Sequence, residues 1–182
     1  METTVSTYLA MWNSAMVKNP EAVKNYSNKI LVNRPRYEKV VEGTIIPWQL
    51  IGVCHYRESS LSFTCHPHNG DPLSGRTTHV PAGRPKIGNP PFTWEESAKD
   101  AFITLKGWDK IELWPIETIL LKLEEFNGLG YKKFHPGVKS PYLWSYTQFY
   151  QRGKYASDGH FDPDLVDKQI GCVALLKLII FK

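Results

Sequence analysis

A chain of 182 residues, 42% of them apolar, is long enough to bury a full core without disulfide or metal staples. Its 13 Gly and 13 Pro stay well below the roughly 25–30% that marks low-complexity chains, and no apolar run approaches the ~18 residues of a membrane span. The formal charge of +4 suits an anionic polymer as partner, and suits equally a solvated surface with a few extra lysines.

The amino-terminal stretch "METTVSTYLAMWNSAMVKNP" lacks the basic start and small-residue cleavage site of a secretory leader, which predicts synthesis in the cytoplasm without export by that route. Cys54, Cys65 and Cys172 are odd in number and show no C-x-x-C spacing, so they read as reduced thiols. The first forty residues read as helix: "TYLAMWNSAMV" carries Leu9, Trp12 and Met16, and "PEAVKNYSNKILV" follows with Pro20 in its first turn. Pro35 breaks the pattern, "RYEKVVEG" resumes it, and Gly43 is a stop. Pro47 then opens a helix to about Glu58. Its apolar residues go nearly all the way round, as in a helix buried on every side.

After Glu58 the stretch "SLSFTCHPHNGDPLSGRTTHVPAGRPKIGNPP" is crowded with turn residues and predicts two short strands around the "NGD" and "SGR" turns. Helix returns at "TWEESAKDAFITLKGW", where Thr93 and Glu96 have the spacing of a capping box. Another helix, "PIETILLKLEEFNG", closes on Asn127-Gly128. The segment from Phe126 to Phe161 is dense in aromatics and turn signals. A last helix is expected to open at Asp162-Pro163 and to carry Leu165, Val166, Ile170, Val173 and Leu176 into the core. The sum is one α+β domain over residues 1–182, mainly helical, with a small β-hairpin insertion over about 61–82.

Glu58 is the first candidate for chemistry. At the carboxy-terminal end of an apolar helix, burial and the negative end of the helix dipole both favour its protonated form. A carboxylic acid that keeps its proton near neutral pH is what glycosidic cleavage needs, because the leaving oxygen must gain a proton as the bond breaks. The bland alternative is a solvated last-turn Glu paired with Arg57.

The run His55-Tyr-Arg-Glu-Ser-Ser-Leu-Ser-Phe63 resembles the Glu-Ser signature of the lysozyme-like superfamily, which includes lytic transglycosylases, goose-type lysozymes, plant-type chitinases and phage endolysins. In that superfamily the glutamate ends a buried helix and precedes a β-hairpin. Phage-type lysozymes place an aspartate on the hairpin and a threonine six residues beyond it. Asp71 and Thr77 stand at that interval, with a longer stretch between Glu58 and Asp71 than the phage-type pattern has. "FNGLGY" at Phe126–Tyr131 is similar to the Tyr-Asn-x-Gly element of lytic transglycosylases, where an aromatic and an asparagine line the sugar cleft; here Phe126 replaces the first tyrosine. The resemblance covers roughly residues 30–180.

It implies a lysozyme-like fold with Glu58 as the acid on the catalytic helix, Asp71 and Thr77 beside a water or the transition state, and Asn127 with Tyr131 lining the sugar cleft; His68, Asn69 and His79 as polar groups beside that cleft, and Tyr142 and Trp144 in the aromatic tract, are expected to bind sugar as well. From the residues alone, Asp71 in its turn is expected to be exposed and ionised, making a pair of carboxyls with separated pKa values; a plain Asx-turn explains it equally. Most rings of the aromatic tract are expected in the core, with Trp144 the exposed stacking platform.

The expected activity is a peptidoglycan-degrading glycosidase, a muramidase of the endolysin kind. It would need no cofactor or metal, act as a monomer without nucleic acid or membrane insertion, and reach the wall after release from a phage-infected host. Alternatives are a lytic transglycosylase, a chitinase-like glycosidase, or a non-catalytic glycan- or nucleic-acid-binding module. A zinc amidase or peptidase using His55, His66, His68, His79 and Asp71 is a further rival.

Overall fold

The computed structural model describes residues 2–157 and 159–180, with side chains from residue 7 onward. Helices dominate, and the only sheet among the described residues is a two-stranded antiparallel one, so the chain is α+β and mainly helical. It divides into two compact units: Met1–Asn28 with Pro115–Lys182, and Lys29–Trp114. Among the described residues no helix is long and apolar enough to cross a membrane. Cys54, Cys65 and Cys172 form no disulfide.

In the first unit α1 (Glu2–Ser14) packs on α6 (Ile116–Asn127). Tyr8 and Trp12, one turn apart on α1, are both buried, as are Ile119, Leu120 and Leu123 on α6. Glu124 continues that buried face. Its charge is matched because the Tyr8 hydroxyl donates to it and the Lys132 ammonium lies 2.7 Å away. The short helices α7 (Gly130–Phe134) and α8 (Pro141–Trp144) follow, then strands β1 (Lys154–Ser157) and β2 (His160–Asp162), paired with Tyr155 opposite Phe161. The last described element is α9 (Cys172–Ile180), packed on α8.

The last helix thus begins ten residues later than the sequence pattern predicts. Asp162 does act as a local cap, its carboxylate accepting from the Asp164 and Leu165 N–H groups, but no helix grows from it. The Asp167 N–H is instead taken by the Tyr150 hydroxyl and its carboxylate by Lys154 at 2.7 Å, which holds the segment irregular. Leu165 and Val166 are consequently exposed, while Ile170, Val173 and Leu176 enter the core.

The second unit is built round α4 (Trp48–Ser59), whose residues Leu50–Tyr56 are all buried. Helix α3 (Arg34–Val41) lies against it, with Pro35 accommodated in the first turn where its missing N–H costs nothing. The remaining helix of the amino-terminal stretch, α2 (Pro20–Val32), ends here with Ile30 so near Gly52 that a Cβ there would lie 2.6 Å from its methyl. Helix α5 (Trp94–Lys99) starts on the expected capping box: Thr93 Oγ1 accepts from the Glu96 N–H, and the Glu96 carboxylate accepts from Thr93 N–H. It continues as a π-helical turn through Asp100–Leu105.

Between α4 and α5 the expected hairpin does not form. One isolated bridge, Cys65 to Pro72, stands where two strands were predicted. Six prolines between residues 67 and 91 remove ladder donors, and the loop's N–H groups go to side chains and to local turns instead. The sheet that does form lies in the other unit, at β1 and β2.

Candidate active site

Glu58 is the penultimate residue of α4 and half-buried. Ser60 closes the helix in a left-handed conformation (φ 52°), its N–H turned back to the His55 and Tyr56 carbonyls. The Asn69–Asp71 turn then folds directly onto this helix end. Gly70 adopts φ +83°, and a Cβ there would stand 2.9 Å from the Glu58 carbonyl oxygen. Only glycine satisfies both the backbone angle and the approach.

The turn itself is an Asx-turn, but Asn69 makes it: its Oδ1 accepts from the Asp71 N–H at 3.0 Å. Asp71 does something else. Its carboxylate is buried, against the expectation of an exposed one, because a ring of donors replaces water. Oδ2 accepts from the N–H groups of Thr78 (2.7 Å) and His79 (3.0 Å), the Thr78 hydroxyl and the Asn69 amide, and Oδ1 from His79 Nδ1 at 2.6 Å. Burial alone pushes this carboxyl up, but the His79 and Thr78 bonds outweigh it and hold the group well below the usual carboxylate range. A carboxylate so acidified is ionised and a weak base.

Thr77 is also buried and fully engaged. Its hydroxyl donates to the Pro81 carbonyl at 2.5 Å and accepts from the Arg84 N–H at 2.9 Å, so it shapes the loop rather than presenting a hydroxyl. His68, expected to touch sugar, has its side chain wholly buried, with Nε2 donating to Asp100 at 2.9 Å and Arg84 Nε 3.0 Å from the same carboxylate oxygen. Burial lowers the His68 pKa, partly opposed by Asp100. Asn69 keeps its place beside the turn, its amide also donating to the His79 carbonyl at 3.0 Å. Of the four histidines only His79 faces outward, with its side chain 80% exposed.

The zinc rival lacks a ligand set: among the described residues no group of three or more His, Cys, Asp or Glu side chains is placed to hold a metal. The rings are committed elsewhere. His55 Nε2 donates to the Ser62 carbonyl at 3.1 Å, leaving Nδ1 to accept from the Tyr37 hydroxyl at 3.0 Å. His66 Nε2 donates to the Gly75 carbonyl at 2.8 Å, and its Nδ1 accepts from Ser97 Oγ at 2.6 Å.

The other expected sugar-binding residues belong to the first unit. Asn127 is exposed at the last position of α6. Tyr131 is buried, its hydroxyl accepting from the Tyr155 N–H at 3.2 Å and its ring edge-on to Tyr155. Tyr142 is buried on α8, and Trp144, expected as the exposed platform, is 1% exposed and edge-on to Phe149. The turn signals around "SPYLWS" produce a short helix whose apolar residues all point into the core, which removes Trp144 from stacking.

Sequence reasoning missed the partners that build the loop: Thr78 and Gly70 around Asp71, and Ser97 and Asp100 beneath the histidines. Ser97 and Asp100 are three apart past a clear capping box, so the i, i+3 spacing was a signal that both side chains share a face. Comparison with protein-family models, with curated proteins and with solved structures finds no match to this chain.

Proposed function

We propose that the chain is a lysozyme-like glycosidase that cleaves the glycan strand of peptidoglycan, with Glu58 as general acid. The observation that carries this reading is the packing of the Asn69–Asp71 turn on the carbonyl of Glu58. It makes a half-buried carboxyl on a rigid helix end and a preorganised polar loop into one assembly. Glu58 delivers its proton to the glycosidic oxygen as the bond to C1 breaks, and the ionised Asp71 adds fixed negative charge near the positive charge that grows on the sugar ring. The choice of peptidoglycan over chitin rests on the Glu-Ser, hairpin-region and "FNGLGY" resemblance.

A second reading has its own support. Because both oxygens of Asp71 are taken up by donors within the loop, Asp71 has little capacity to activate water. A lytic transglycosylase needs no such water, since the muramic acid 6-hydroxyl attacks C1 and leaves an anhydro end.

Purified sacculi and mass spectrometry of the released fragments test both. Wild-type protein is expected to release muropeptides and Glu58→Gln to lose at least about 100-fold of the rate, in line with the loss of a general acid, with an unchanged melting temperature. Full clearing by Glu58→Gln would sink the glycosidase reading. Reducing ends carrying water mark hydrolysis, and anhydro ends mark transglycosylation.

A further inference from the structure

Asp71 and His79 form a carboxylate–imidazole pair in which every contact but one points inward. The carboxylate is buried and fixed by Asn69 and Thr78 as well as by His79. The His79 backbone is fixed too, its N–H on Asp71 and its carbonyl accepting from Asn69. The 2.6 Å contact to an ionised oxygen assigns the ring's proton to Nδ1. In the neutral ring Nε2 is then the lone-pair acceptor, with no partner among the described residues, on a side chain that is 80% exposed. The Nδ1–H bond that helps satisfy the buried Asp71 carboxylate also holds an exposed imidazole in one orientation, and an oriented imidazole backed by a carboxylate is the arrangement used to take up a proton.

Its position connects it to the acid. Asn69, which holds the His79 carbonyl, directly precedes Gly70, and Gly70 rests on the Glu58 carbonyl. The acid-bearing helix end and the imidazole are therefore tied through two residues of one turn.

We infer that His79 Nε2 is the base that activates the attacking water, with Asp71 as its positioning residue. This deepens the glycosidase reading and rests on it. Water oxygen forms a bond to C1 while the bond from C1 to the leaving oxygen breaks. The Glu58 carboxyl proton goes to that oxygen, and the water proton goes to His79 Nε2. Asp71 stabilises the resulting imidazolium through the Nδ1–H bond, and solvent exchange returns the proton to Glu58. The product configuration at C1 is inverted.

The test uses the full chain on sacculi and on a soluble glycan fragment, with wild type and Glu58→Gln alongside. His79→Ala is expected to lower kcat about 100-fold or more with KM within about twofold, and added azide or imidazole is expected to restore part of the rate. With azide the product is a glycosyl azide of inverted configuration, which a purely structural role for His79 does not yield. His79→Asn, which can keep a donor towards Asp71, serves as the folding control and is expected to melt like wild type while remaining equally slow. Wild-type kcat in either histidine variant, a change confined to KM, or anhydro ends released by wild type would overturn the assignment of His79. Loss of the glycosidase reading itself is seen separately, as full activity in Glu58→Gln or no glycan product from wild type.

Discussion

Gly70 rests against the Glu58 carbonyl with room for a hydrogen atom but not for a methyl, since a Cβ would come to 2.9 Å. Its φ of +83° makes the same demand through the backbone. Replacement by alanine therefore meets two penalties: roughly 1–2 kcal/mol for a left-handed non-glycine residue, plus the cost of moving the turn off the helix end. Gly70→Ala is expected to lower unfolding free energy by about 2 kcal/mol or more in urea titrations, given these terms. If the turn and Glu58 act as one site, sacculus clearing per folded molecule should fall more than tenfold, because displacement of about 1 Å costs far more in rate than in stability. A variant with wild-type stability and clearing would show that the contact is incidental.

Acid should destabilise the second unit well above the range where carboxylates titrate. Burial holds the His55 imidazole down to about 4, partly offset by its bond to the Ser62 carbonyl. Unfolding releases a ring that binds a proton at about 6.5. The stability that the neutral ring contributes is therefore complete above that value and is lost as pH falls towards 4. The loss from His55 alone is about 3 kcal/mol by linkage. His68, lowered by burial as well, acts in the same direction. Asp71 adds to the loss with the same sign only as pH falls through about 4, where the unfolded carboxyl takes up a proton and the folded one, held down by its donors, does not. Urea titrations from pH 7.5 to 4 should show most of the decline below 6.5, and a flat profile over that range would contradict the buried neutral histidine.

The helices were legible because their signals are local. The Thr93–Glu96 box, Pro47 before a largely apolar run and the Asn127-Gly128 stop each lie within a turn of the boundary they mark. Glu58 at a buried helix end was legible for the same reason. What the sequence did not reveal depends on contacts across many residues. Asp162-Pro163 has the form of a helix start, yet Tyr150 and Lys154 compete for Asp167 and win. Asp71 looked exposed because its donors, Thr78 and His79, lie seven and eight residues away and approach only once the proline-rich loop has closed. Trp144 sits among turn residues, and only the packing of α8 on α9 and α6 buries it. In each case a polar or turn-rich environment in sequence became an internal one through a partner that no periodicity announces.

The late start of α9 has its own test. Gly171 N–H donates to the Ser145 carbonyl at 3.0 Å, and Ser145 in turn donates its hydroxyl to the Asp167 carbonyl at 3.2 Å. A Cβ on Gly171 would lie 2.5 Å from the Leu143 carbonyl oxygen and 2.7 Å from both N and O of Ser145. These are backbone atoms of buried residues, so no rotamer change relieves the overlap. Gly171 is also not among the positive-φ glycines, so the demand is for space alone. Gly171→Ala is expected to cost about 3 kcal/mol or more, at the upper end of overpacking substitutions, and to separate α9 from α8. Gly137→Ala is the matched control: it would meet nothing within 4 Å and has no positive φ, so it should be neutral or stabilise by up to about 1 kcal/mol through the unfolded chain. Equal melting temperatures for the two variants would rule out the close backbone crossing that places the last helix at Cys172 rather than at Asp162.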